Sequence, residues 1–324
     1  MKAKAVRIHE AGGPEKMVYE DVEVGDPGPG EVLVEQDFCG LNYIDVYHRT
    51  GLYPLELPSA IGMEAAGSVS AVGEGVDAFS PGDRVAYAAP PVGAYASARL
   101  MPWHRLIKLP DTISNEQAAG MMLQGMTVEY LIRRTYAVQP GDTVLFQAAA
   151  GGVGLIACQW LKQIGATVIG TAGSEAKAEL AKAHGCDHVI LYDREDVASR
   201  VRELTDGAGV PVVYDGVGAS TVDGSLDSLR PRGLFVSFGN ASGPITDFNL
   251  ATLSAKGSLF MTRPTLMTYT ATREDLVESA TALFDAHAKG LKIEINQRYA
   301  LADARQAHID LEARKTTGST LLVV

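Results

Sequence analysis

Residues 148–154 read Ala148-Ala149-Ala150-Gly151-Gly152-Val153-Gly154. They follow the apolar segment Thr143–Gln147 and precede the helix-prone run Leu155–Gln163, and a second apolar segment starts at Thr167. A strand, a tight glycine turn and a helix start make a site for a pyrophosphate. Backbone N–H groups and the helix dipole point at the anion, and missing Cβ atoms let it approach. The dinucleotide fingerprint G-x-G-x-x-G is met except at its first position, held by Ala149. Gly151, Gly152 and Val153 are the expected pyrophosphate contacts. The competing reading is a strand-to-helix turn with no ligand.

The end of the next strand indicates which dinucleotide. Sites for NAD usually place Asp or Glu about 20 residues beyond the glycines, on the ribose hydroxyls. Here Ala172 or Gly173 takes that place, and Ser174 and Lys177 follow on the first turn of a helix. A neutral corner with a hydroxyl, a cation and a helix start accommodates a 2′-phosphate, so NADPH is the expected cofactor. Glu175 is expected to face solvent. Tyr192 and Arg314 are further candidates for contact with that phosphate. A solvated helix lysine is the alternative reading of Lys177.

These residues need a scaffold, and the chain has two textures. Up to about residue 110, short apolar runs such as Glu31–Glu35 and Ala65–Gly73 are broken by Gly and Pro, the pattern of an irregular barrel or sandwich of strands. From about 140, strand and helix alternate. Expected strands are Thr143–Gln147, Thr167–Thr171, His188–Leu191, Val210–Tyr214, Leu234–Phe238 and Ser258–Met261, with helices such as Ser174–His184 and Val197–Thr205 between them. Such alternation predicts a doubly wound parallel sheet. The tail, with a helix near Arg273–Lys289 and a strand at Leu321–Val324, is too short for a domain and is expected to pack on the N-terminal part. Ligands of these sheets bind at the carboxyl ends of the strands, which draws in Val217 and Phe238-Gly239-Asn240.

Composition excludes several classes. Of 324 residues, 46% are hydrophobic, which leaves ample material for a core. With 28 Lys and Arg against 39 Asp and Glu, the net charge of −11 disfavours nucleic acid and anionic membrane as partners. Cys39, Cys158 and Cys186 are too few for a disulfide framework or a four-cysteine zinc site. The N-terminus carries no signal-like apolar stretch, and no segment approaches the roughly 20 apolar residues of a membrane span, so a cytoplasmic location is expected.

Several segments together carry a resemblance. They are Gly40-Leu41-Asn42-Tyr43-Ile44-Asp45, Gly51-Leu52-Tyr53-Pro54, Gly62-Met63-Glu64-Ala65-Ala66-Gly67, Val72-Gly73-Glu74-Gly75-Val76, Gly82-Asp83-Arg84-Val85, the Ala-rich glycine run, and Val236-Ser237-Phe238-Gly239-Asn240. Over essentially its whole length the chain resembles the medium-chain dehydrogenase/reductase superfamily, and within it the zinc-independent NADPH:quinone oxidoreductases related to zeta-crystallin. The resemblance implies an α/β protein in which a GroES-like β-rich catalytic domain, 1–123 and 266–324, receives an inserted Rossmann domain, 124–265, that binds NADPH. It also implies a homo-oligomer, with a dimer favoured, paired edge to edge through the cofactor domains; Ser258–Met261 is apolar enough to serve as the edge.

Departures from the zinc-dependent relatives bear on the chemistry. Where those carry a ligand Cys this chain has Asn42; where they carry a ligand His it has Met63, followed by a retained Glu64; near the third ligand it has Leu123-Gln124-Gly125-Met126-Thr127. Asn, Met and Gln are poor zinc ligands, so no metal is expected. Without a Lewis acid, a quinone or enone is an easier hydride acceptor than a simple ketone, because the charge delocalises and hydrogen-bond donors can hold the oxyanion. The resemblance puts Asn42, Tyr47, Tyr53 and Thr127 at the nicotinamide end. Tyr53 matches the proton-donating tyrosine of mitochondrial enoyl-thioester reductases and is the first candidate donor, with Tyr47 as the second. The alternative reading of Asn42 is a residue that holds a turn, and that of each tyrosine is packing. Arg263 is a candidate for nicotinamide contact or for a surface ion pair. Three functions follow: reduction of quinones by NADPH, including one-electron reduction to semiquinones; reduction of α,β-unsaturated carbonyls or enoyl thioesters; or a non-catalytic NADPH-binding sensor or RNA-binding protein.

Overall fold

The glycine- and proline-broken runs of the N-terminal part fold as strands of two sheets in the computed structural model, which describes residues 1–324. Contacts group the chain into two units: Met1–Gln124 with Thr270–Thr281 and Ile293–Val324, and Gly125–Tyr269 with Ala282–Lys292.

In the first unit, β1 (Glu31–Leu41) leads into helix α1 (Tyr43–Thr50), and β2 (Glu64–Val72) lies antiparallel to β1. These belong to a seven-stranded sheet. The C-terminal strand, expected at Leu321–Val324, runs Ser319–Val323 and pairs with β1 from Thr320↔Leu41 to Val323↔Phe38, which brings Ser319 beside the point where the chain enters α1. Val34, Ala65, Val85, Tyr95 and Leu322 are among the buried side chains of the core. Gly40 has a packing reason to be glycine: a Cβ there would strike the Glu64 carboxylate and the Ala119 carbonyl. The all-strand reading of this part needs one correction, because α1 interrupts it. Asn42 precedes the helix in extended conformation (φ −133°), its backbone N–H donates to Asp45 at 2.9 Å, and Gly51 ends the helix at φ +81°. That N-x-x-D spacing is a helix-start signal.

In the second unit six parallel strands alternate with helices. They are β3 (Thr143–Phe146), helix α2 (Gly152–Ile164), β4 (Thr167–Ala172), helix α3 (Glu175–Ala183), β5 (His188–Leu191), β6 (Val210–Asp215), β7 (Leu229–Ser237) and β8 (Phe260–Thr262). Their spatial order is β5-β4-β3-β6-β7-β8, the doubly wound order that places ligands where the connections part on either side of β3. Every residue of β6 is buried, as expected of a strand covered on both faces. The fifth strand starts earlier than the expected Leu234. Pro231-Arg232-Gly233 reads as a turn, yet β7 passes through it with a shifted register against β6, and Arg232 sits at φ +60°. No helix of the chain is long and apolar enough to cross a membrane.

Candidate active site

At the carboxyl ends of β3, β4 and β6, one buried chain of hydrogen bonds ties the ligand-side loops together. Thr171 Oγ1 donates to Gln147 Oε1 at 2.7 Å, Gln147 Nε2 donates to Ser225 Oγ at 3.0 Å, and Ser225 Oγ donates to Asp215 Oδ2 at 2.7 Å. Asp215 Oδ1 accepts the backbone N–H groups of Val217 and Gly218 at 2.8 and 3.0 Å. Thr171 Oγ1 also accepts Ala148 N–H at 3.0 Å. The glycine turn is therefore fixed from its neighbours, with Ala148 at φ +57°. Gly151 caps α2, and a Cβ at Gly154 would run into the Ala148 and Ala149 carbonyls. The helix start thus lies directly on the turn. Its first N–H groups, including those of Gly152 and Val153, have no partner within the helix. A pyrophosphate fits this cradle.

The next corner gathers Gly173, Ser174, Lys177 and Tyr192. Ser174 caps α3, its hydroxyl accepting Lys177 N–H at 3.3 Å. A Cβ on Gly173 would collide with the Tyr192 hydroxyl, so those two residues are neighbours. No carboxylate stands at 172 or 173, and Glu175 faces solvent and pairs with Arg194 at 2.9 Å. On the other side of the sheet centre, Phe238 N–H donates to Asp215 O at 2.8 Å, and Gly239 approaches Gly216 too closely for any side chain. Arg263 Nη1 donates to Ser237 O at 2.9 Å, which ties Arg263 to the strand end leading into Phe238-Gly239-Asn240. Thr127 is buried on helix Met122–Glu129.

The first unit carries a second cluster. Asn42 Nδ2 donates to Glu64 Oε2 at 2.7 Å, Gln124 Nε2 donates to Asn42 Oδ1 at 3.2 Å, and Leu123 N–H donates to Glu64 Oε1 at 2.8 Å. All three side chains are buried. Burial pushes the Glu64 carboxyl up to about 8, against the stabilising pull of the donors on its oxygens. On α1, Asp45 is also buried and pushed up to about 7, with desolvation as the cause. Tyr95 OH donates to Asp45 Oδ2 at 2.8 Å and lies 3.2 Å from His308 Nε2, while Arg49 Nη1 is 3.3 Å from His308 Nδ1. Arg49 can only donate, so His308 is neutral with its proton on Nε2, and it donates onward to Tyr95. Burial, reinforced by Arg49, holds the His308 pKa down to about 3. Glu312 balances Arg49 with two contacts of 2.9 Å.

Tyr47 is buried and Tyr53 half-buried, their rings edge-on with centroids 5.2 Å apart; His48 stands 6.1 Å from Tyr53. Arg314 belongs to the first unit, where its charge acts on Tyr43. No group of three or more His, Cys, Asp or Glu side chains is placed to hold a metal ion.

Two family models match the chain: an alcohol dehydrogenase GroES-like domain over residues 28–111, and a zinc-binding dehydrogenase over residues 152–284. A quinone oxidoreductase of Pseudomonas aeruginosa is 54% identical over 323 residues, covering 99% of both chains. The chain belongs to the quinone oxidoreductases of the medium-chain dehydrogenase/reductase superfamily. Among solved structures, the Escherichia coli quinone oxidoreductase complexed with NADPH superposes with a TM-score of 0.98 at 48% identity, covering 99% of this chain and 100% of that one. A 2-haloacrylate reductase of Burkholderia sp is 45% identical over 98% of each chain.

Asn42 and the tyrosines are legible in the sequence, but what holds them is not. Tyr95, His308 and Ser319 lie 50 or more residues from their partners and carry no local motif. The Asn42–Asp45 spacing was a usable signal.

Proposed function

We propose that this chain reduces quinones with NADPH and without a metal ion. The observation that carries the reading is the corner of Gly173, Ser174, Lys177 and Tyr192, which offers a hydroxyl, a cation and a helix start and no carboxylate. Kinship with the NADPH-complexed Escherichia coli enzyme supports it. When bound, NADPH supplies a hydride to an electron-poor carbon, leaving negative charge on the acceptor's oxygen.

The second unit holds the dinucleotide: Gly151, Gly152 and Val153 at the pyrophosphate; Ser174, Lys177 and Tyr192 at the 2′-phosphate; Val217, Phe238, Gly239, Asn240 and Arg263 towards the nicotinamide. Thr127 serves the same end. The first unit supplies donors for the acceptor. One Nδ2–H of Asn42 goes to Glu64 and the other has no partner in the structure, so it is available to an acceptor oxygen. Tyr53 is the proton donor and Tyr47 packs against it. Metal independence is supported by chemistry: Asn42 and Gln124 bond to each other, Asn42 also to Glu64 and Gln124 also to Ser319, and neither amide is a good zinc ligand. The 2-haloacrylate reductase relative favours a second reading, an α,β-unsaturated acceptor.

Following NADPH oxidation with 1,4-benzoquinone, 9,10-phenanthrenequinone, an alkenal and crotonyl-CoA tests these readings. Quinones should turn over fastest, with no loss in the presence of a chelator. Faster turnover of the alkenal or thioester transfers the function to the second reading, and a flat result on all four sinks both. Lys177→Ala should raise KM for NADPH about tenfold, the worth of a charge-assisted hydrogen bond, and leave KM for NADH nearly unchanged.

A further inference from the structure

Four buried side chains of the first unit form one line of hydrogen bonds. Ser319 Oγ lies 2.6 Å from Gly120 O and 2.9 Å from Gln124 Oε1; Gln124 Nε2 donates to Asn42 Oδ1; Asn42 Nδ2 donates to Glu64 Oε2; and Leu123 N–H donates to Glu64 Oε1. A carboxamide has oxygen on one side and nitrogen on the other, so the direction of the line is set at its ends. The Ser319 end favours the opposite direction. Its single hydroxyl proton faces two acceptors, Gly120 O and Gln124 Oε1. With both amides turned over, Gln124 Nε2 would donate to Ser319 Oγ, and Ser319 would give its proton to Gly120 O. The other end opposes that reversal. The Leu123 N–H is a fixed backbone donor, so the side chain at 64 must accept there, and an ionised carboxylate accepts from Asn42 as well.

We propose that Glu64 is a positioning residue: as an acceptor at both oxygens it fixes the direction of the Asn42 and Gln124 amides and thereby aims the unpartnered Nδ2–H of Asn42. The proposal rests on the reading of Asn42 as the donor to the acceptor oxygen. Glutamine has the same shape and cannot accept at both atoms. With Oε1 on Leu123 N–H, its Nε2 faces Asn42, and both amides turn over with each hydrogen bond of the line remade, at the cost of the contact of Asn42 Oδ1 with the Asp45 N–H.

The test is Glu64→Gln, Asn42→Ala and the double variant, assayed at pH 9 with 1,4-benzoquinone. Glu64→Gln should stay folded with a melting temperature no lower than that of the wild type, lower kcat about tenfold or more, and leave KM for NADPH within about twofold. In the Asn42→Ala background it should have no further effect. If Asn42→Ala lowers kcat and Glu64→Gln does not, this proposal falls and the reading of Asn42 stands. An inert Asn42→Ala overturns both. An equal loss from Glu64→Gln in the Asn42→Ala background also overturns the proposal, because Glu64 would then act directly. Should Glu64→Gln not fold, the wild-type protein labelled with 15N-asparagine and observed at pH 9, where Glu64 is ionised, decides. One Asn42 Nδ2 proton should be shifted downfield by the carboxylate, and an Asn42 pair lacking that shift overturns the proposal.

Discussion

Glu64 and Asp45 are carboxyl groups taken wholly out of water within one small region, and the charge of Asp45 raises the cost of ionising Glu64. For Glu64 the sign is definite. Its pKa rises from the usual 4.5 to about 8, so between those values the folded protein binds a proton that the unfolded chain releases. Stability is then fully present below about pH 4.5 and is lost as pH rises through 8. Glu64→Gln removes that proton linkage. Denaturant unfolding measured across this range should show wild type losing stability relative to the variant as pH rises, and parallel curves would contradict the burial argument. The residue types here were legible, since Asn42 and Glu64 stand in recognisable motifs. Their bond was not, because β1 and β2 must pair before residues 42 and 64 meet.

At the scale of elements, the dinucleotide cradle is a strand end and a helix start pressed together. Gly154 permits that contact, since any side chain would meet the Ala148 and Ala149 carbonyls. Gly154→Val should force α2 away from the turn, destabilise the protein by about 1–3 kcal/mol and raise KM for NADPH, both readable by calorimetry and initial rates. Unchanged KM would mean the helix start does not hold the cofactor. The alternation of strand and helix was legible because covered parallel strands are apolar throughout. The early start of β7 was hidden because Pro231 and Gly233 look like turn residues and only the neighbouring strand keeps them in the ladder.

For the molecule as a whole, β8 closes the parallel sheet at one edge and presents Phe260 with 62% of its surface exposed. An apolar edge strand with free backbone groups is a template for another strand. We propose that a second copy pairs there to form a homodimer. Light scattering should then give twice the 34.3 kDa chain mass, and Phe260→Asp should shift it toward the single chain. A wild-type mass of one chain removes the proposal.

By itself the sequence determined what depends on local chain geometry: the alternating strands and helices, the glycine turn before α2, and the neutral corner at Gly173 and Ser174. Each is written in consecutive residues because hydrogen bonds and steric limits act over a few positions. Only the tertiary structure decided which distant groups share a buried space. It brought Ser319 and Gln124 behind Asn42, set Tyr95 and His308 behind Asp45, and linked Thr171 to Asp215 through Gln147 and Ser225. Those contacts follow from strand pairing and burial, where a polar atom removed from water must find a partner wherever the fold places one.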